Sequence, residues 1–78
     1  MKLSIYTLKE VLFEGQVDKI ISRTPLGEMT VLDTHTPLIS TLTGPDVRVV
    51  KNGSEDVIPV NSGIIEVRPE SEVVILAN

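Results

Sequence analysis

No apolar stretch of this chain runs far before a turn residue interrupts it. Segments rich in Val, Ile, Leu and Thr are broken about every ten residues, at Gly15, Pro25-Leu26-Gly27, Pro37, Gly44-Pro45, Asn52-Gly53, Ser62-Gly63 and Pro69. That rhythm leaves room for short strands, offers no convincing helix, and is the spacing of a β-sandwich or barrel.

Inside the segments the side chains alternate as those of half-buried strands do. Lys2 to Leu8 sets Leu3 and Ile5 against Lys2, Ser4 and Tyr6. Val11 to Glu14 reads as a second strand ended by Gly15. Gln16 to Arg23 reads as one central strand with Val17 and Ile21 on one face and Ile20 on the other. Between Glu28 and Leu32, Met29 and Val31 oppose Glu28, Thr30 and Leu32. Val47, Val49 and Lys51 alternate with Arg48 and Val50, after which Asn52-Gly53 suits a tight hairpin turn because both residues tolerate positive φ. Glu55 to Val60 returns antiparallel, and Ile64 to Val67 and Glu72 to Ala77 follow. In the last strand Val73 and Ile75 oppose Val74 and Leu76, so both faces are apolar and a second layer or another protein is expected on each. The expected fold is all-β: a small two-sheet sandwich of about nine to ten mostly antiparallel strands, with residues 1–78 forming one domain.

Composition removes several function classes. The chain has 78 residues, a size at which only about 60–65% of the unfolded surface is buried, so a large task must be shared with a partner. It has no cysteine, which excludes disulfide staples, thiolate zinc sites and thiol catalysis. The formal charge is −4, the basic residues are scattered, and Tyr6 and Phe13 are the only aromatics, so nucleic acid is not an expected ligand. No apolar run approaches the roughly 18 residues of a membrane helix, and the start does not read as a signal peptide, so a soluble chain is expected. A nucleophile built on Thr34 between Asp33 and His35 lacks any sign of oxyanion donors, a single His without Cys does not make a zinc site, and the glycines never group into a phosphate-cradling loop. Neither catalysis nor a cofactor is expected.

One stretch is too particular for a generic strand and loop: Thr24-Pro25-Leu26-Gly27-Glu28-Met29-Thr30-Val31-Leu32-Asp33-Thr34-His35-Thr36-Pro37-Leu38-Ile39. Together with Met1-Lys2-Leu3-Ser4-Ile5, Val11-Leu12-Phe13-Glu14-Gly15-Gln16-Val17, Val47-Arg48-Val49, Ser62-Gly63-Ile64-Ile65-Glu66-Val67 and Val73-Val74-Ile75-Leu76-Ala77, it resembles the N-terminal β-sandwich domain of the epsilon subunit of the F-type ATP synthase, called delta in mitochondria. The six blocks span the whole chain in the family's order. The chain departs from the family at Thr30, where many members carry Gly, and at Asp33-Thr34, where many carry Pro-Gly. It also ends at Asn78, before the helical hairpin of longer members, and so resembles a short form or an excised domain.

The resemblance implies a non-catalytic central-stalk subunit that joins the gamma subunit to the polar loops of the membrane c-ring and reaches the membrane only through the complex. In a bacterium that is the cytoplasmic face of the inner membrane. It implies a c-ring end made of Glu28, Thr30, Asp33, Thr34 and His35, and a gamma-facing surface near Thr7. Each residue also has a plainer reading: Glu28 as a solvated carboxylate, His35 as a loop-shaping hydrogen-bonding residue, Thr7 as an ordinary strand threonine, and Gly27 and Gly63 as turn glycines. Two other functions suit a small acidic β domain. A biotinyl or lipoyl carrier would use Lys51 beside Asn52-Gly53 but lacks the flanking residues of that family, and a stand-alone adhesion module would bind no stalk component.

Overall fold

The turn residues cut the chain into nine strands and no helix in a computed structural model that describes residues 1–78. They are β1 Lys2–Tyr6, β2 Val11–Gln16, β3 Lys19–Thr24, β4 Gly27–Val31, β5 Leu38–Leu42, β6 Asp46–Lys51, β7 Ser54–Pro59, β8 Gly63–Arg68 and β9 Glu72–Ala77. A five-stranded sheet has the order β2-β1-β9-β8-β5 and a four-stranded sheet the order β4-β3-β6-β7. Every pairing is antiparallel except β1 with β9, which run parallel with Leu3 opposite Val73 and Ile5 opposite Ile75.

The alternation read from the sequence is the alternation that fills the space between the sheets. Leu3, Ile5, Ile65, Val67, Val73 and Ile75 point inward from the larger sheet, and Ile20, Val31, Val47 and Val49 from the smaller, all essentially removed from solvent. Strand β7 is a sheet edge, almost wholly exposed, and it ends at Pro59, where a missing N–H interrupts no ladder. The β6–β7 hairpin turns through Asn52 at φ 50° and Gly53 at φ 79°, between Lys51 and its partner Ser54. Both central residues are left-handed, as a two-residue type I′ turn requires.

Three boundaries differ from the sequence expectation, the simplest being that Gly15 does not end the second strand but pairs with Leu3 inside β2. The single strand expected over Gln16 to Arg23 is two, with Gln16 closing β2 and Lys19 opening β3. Between them the chain crosses from one sheet to the other: the Val17 N–H donates to the Met1 carbonyl at 2.9 Å and the Asp18 N–H to the Val50 carbonyl at 2.7 Å. Val17 therefore enters the core together with Ile20, and Ile21 faces outward, half-buried. The first strand stops at Tyr6, two residues early. The Thr7 hydroxyl accepts the N–H groups of Lys9 at 3.1 Å and Glu10 at 3.0 Å and bends the backbone into a turn.

The sandwich has two ends. One gathers Met1, Asp18, residues 32–36, Asn52 and Ser71, tied by the Lys2 N–H to the Ser71 carbonyl at 2.8 Å and the Asn52 N–H to Asp18 Oδ2 at 2.8 Å. The other gathers the Thr7–Glu10 turn, the Thr24–Gly27 turn, residues 43–46 and residues 60–62, tied by the Thr43 N–H to the Arg23 carbonyl and the Val60 N–H to the Pro45 carbonyl, both at 3.0 Å.

Candidate functional site

Glu28 sits at the start of β4, opposite Arg23 of β3, and Thr30 lies two residues on, opposite Ile21. Both face outward, away from the core that takes Met29 and Val31. Ile21 is also opposite Arg48 of β6, so Glu28 and Arg48 flank β3 from either side. The Arg48 guanidinium donates to Glu28 Oε2 at 2.8 Å over the top of β3, and the Arg23 guanidinium lies 4.0 Å from the same oxygen. Beyond the Ile21–Arg48 pair the β3–β6 ladder ends. A groove of about 280 Å³ opens there, lined by these charges together with Ser22, Pro45 and Asp46. Ser22 is buried, and its hydroxyl has no hydrogen-bond partner within the chain.

Asp33, Thr34 and His35 lie at the opposite end of the sandwich. Asp33 is five residue steps beyond Glu28, a span of about 16 Å at the rise of an extended chain. Glu28 and Thr30 on the outward face of β4, and Asp33, Thr34 and His35 beyond its far end, are therefore strung along one edge strand of the smaller sheet and not gathered at a single point. The Asp33 carboxylate is 3.3 Å from the α-ammonium of Met1, which also donates to the Val17 carbonyl at 3.0 Å. The Ser71 hydroxyl and that ammonium hold the Asp33 carboxyl below its ordinary pKa. Ser71 Oγ further donates to the Asp33 carbonyl at 3.2 Å, locking the loop to the β8–β9 turn. The His35 N–H donates to the Leu32 carbonyl at 2.9 Å, and its Nδ1 lies 2.7 Å from the Thr36 carbonyl, which can only accept, so Nδ1 carries a proton. Asp33 and His35 turn to different partners, and no Asp–His–hydroxyl relay forms around the exposed Thr34.

Thr7 belongs to the Thr24–Gly27 end and is committed to its own turn, but it borders a surface that the sequence reading did not single out. The outer face of the five-stranded sheet carries a cross-strand row of Tyr6, Leu76 and Ile64 from β1, β9 and β8, joined by Val74 and by Ile39 of β5. Ile39 is 71% exposed, Leu76 55% and Ile64 46%, so this is a contiguous apolar face in contact with water. Its rim is charged: Arg68 holds Glu66 at 2.9 Å and Glu72 at 3.1 Å, and those carboxylates, Glu72 foremost, raise the guanidinium pKa. The one sequence signal of this face was the last strand, apolar on both sides. Val73 and Ile75 take the core, and Val74 and Leu76 are left on the outer face. Apolar patches of this kind on a small domain mark interaction surfaces.

Comparison with known proteins agrees with this architecture. The family model described as ATP synthase, Delta/Epsilon chain, beta-sandwich domain matches residues 1–78. The chain is 38% identical over 77 residues to the ATP synthase epsilon chain of Alkalihalophilus pseudofirmus, covering 99% of this chain and 57% of that one. It is 38% identical over 78 residues to that of Hydrogenovibrio crunogenus, covering 100% and 54%. The chain therefore spans about half the length of the curated relatives it matches. Among solved structures, a chain of the Euglena gracilis mitochondrial ATP synthase assembly of OSCP, F1 and c-ring superposes with a TM-score of 0.87 at 27% identity, over 96% of this chain and 48% of that one. A chain of the Tetrahymena thermophila mitochondrial ATP synthase central stalk and c-ring superposes at 0.75 with 15% identity over 97% and 61%, a likeness of fold.

Proposed function

The chain belongs to the family of ATP synthase delta/epsilon-chain β-sandwich domains, and on that premise we propose that it is a non-catalytic central-stalk part of an F1Fo ATP synthase, joining the gamma subunit to the membrane c-ring. In this role it turns over no substrate and carries torque. Residues 1–78 act as one rigid domain on the cytoplasmic face of a bacterial inner membrane. A two-layer sandwich suits such a load because its close-packed core is stiff and its sheet faces are broad enough for a stable interface.

The observation that carries the reading is the apolar face of Tyr6, Ile39, Ile64, Val74 and Leu76, which the fold leaves in water and which a gamma subunit would cover. Thr7 borders it at the Thr24–Gly27 end, in keeping with a gamma-facing position. The same end carries Glu28, which makes that end the candidate for the c-ring loops. Thr30 on the same outward face and Asp33, Thr34 and His35 beyond the far end of β4 complete the c-ring contact, which then runs along this edge strand. The family favours this function over the carrier reading of Lys51, although Lys51 does stand exposed at the mouth of a hairpin.

The test is a calorimetric titration of this chain against the gamma subunit from the same source. A one-to-one complex lost on Leu76→Arg supports the reading. No heat of binding, with both proteins folded, removes it.

A further inference from the structure

The charge at the proposed c-ring end is not that of a lone carboxylate. Both guanidinium contacts of Glu28 fall on one oxygen, Oε2: Arg48 at 2.8 Å from β6 and Arg23 at 4.0 Å from β3. Arg48 reaches it across an intervening strand, over the outward-facing Ile21, at the point where the β3–β6 ladder ends. Asp46 lines the same groove, so two guanidiniums face two carboxylates and the patch carries no net charge. An incoming lysine or arginine would meet two cations within a few ångströms of the one carboxylate it sought, which offsets its attraction.

We propose that Arg48 is a positioning residue that holds Glu28 at the ring-facing end, and that the Arg23–Glu28–Arg48 cluster selects a partner loop offering neutral N–H donors, such as backbone or side-chain amides, in preference to a cationic side chain. The inference rests on the reading that the Glu28 end meets the c-ring. With Oε2 engaged by arginine, Oε1 is the oxygen that accepts from the partner. Arg48 touches no partner group in this scheme. It acts by removing the rotamer freedom that Glu28 would otherwise lose on docking.

The experiment measures docking of the gamma complex of this chain to the isolated c-ring in detergent, for the wild type, Glu28→Gln, Arg48→Gln, Arg48→Lys and the Glu28→Gln/Arg48→Gln double variant. Gamma binding and thermal melting of each chain are the controls. Glu28→Gln and Arg48→Gln are each expected to weaken docking about tenfold, the scale of one charge-assisted hydrogen bond. The double variant is expected to be no worse than either, Arg48→Lys to recover part of the loss, and gamma affinity and melting to be unchanged. Raising KCl from about 50 to 300 mM is expected to change wild-type docking by less than about twofold, since no net charge is being screened. If Glu28→Gln leaves docking intact, the placement of this end on the ring is wrong. If Glu28→Gln weakens docking and Arg48→Gln does not, the positioning role alone is overturned. A steep loss with salt overturns the preference for neutral donors.

Discussion

Single residues in this chain divide by whether their neighbours are fixed locally or from afar. Ile75 is fully buried at the centre of the five-stranded sheet, and Ile75→Ala should cost about 2–5 kcal/mol. A domain of this size holds about 4–12 kcal/mol in total, so urea denaturation should show a variant that has lost a large part of its stability. Asp33 provides a pH-dependent contribution. Its folded pKa lies below its unfolded value, so deprotonated Asp33 stabilises the fold above the unfolded carboxylate range near pH 4, and the contribution is lost as pH falls through the lowered folded value. Melting temperatures measured from pH 7 down to pH 2.5 should therefore fall less steeply for Asp33→Asn than for the wild type. The residue types of Glu28, Asp33 and His35 were legible as polar and exposed. The partners of Glu28 and Asp33, which are Arg48, Met1 and Ser71, were not, because each lies on a different strand or turn remote in sequence.

Elements were the most legible scale. Period-two alternation and turn chemistry are local properties, and they located β4, β6, β8, β9 and the Asn52-Gly53 hairpin to within a residue or two. Gly53 at φ 79° has open space around its α-carbon, so Gly53→Ala should cost about 1 kcal/mol through backbone conformation alone. Gly63 is demanding for a different reason: a Cβ there would overlap the Leu76 carbonyl of the neighbouring strand. Gly63→Ala should cost more than Gly53→Ala in the same urea titration, because the β8–β9 ladder must part to admit the methyl group. The misread boundary at Gln16–Lys19 has the same origin as the misread partners. Gln16-Val17-Asp18-Lys19 contains no Gly or Pro, and the break is imposed by hydrogen bonds to Met1 and Val50.

At the scale of the whole molecule, one face of the larger sheet has no covering layer. Leu76→Arg or Ile39→Asp should leave urea stability within about 0.5 kcal/mol of the wild type, since both side chains are more than half exposed. The same substitutions should weaken gamma binding at least about tenfold by calorimetry, as expected where a large apolar anchor is lost from an interface centre. Loss of stability in step with binding would mean that the face is part of the fold's own packing and not an interface.

Local sequence was enough to show that the chain is all-β, that its strands are short and mostly antiparallel, and which side chains of β1, β4, β6 and β9 face the core, because these depend on residues within a few positions of one another. Tertiary structure decided which surfaces exist. Parallel pairing of the first strand with the last placed Tyr6 beside Leu76 and built the apolar face. The path of β4 sent Glu28 and Asp33 to opposite ends of the sandwich, while folding brought Arg48 across β3 to Glu28 and Asp33 to the chain's first residue. Strand order and direction are settled by packing two sheets around one core, and that global condition leaves little trace in any local run of residues.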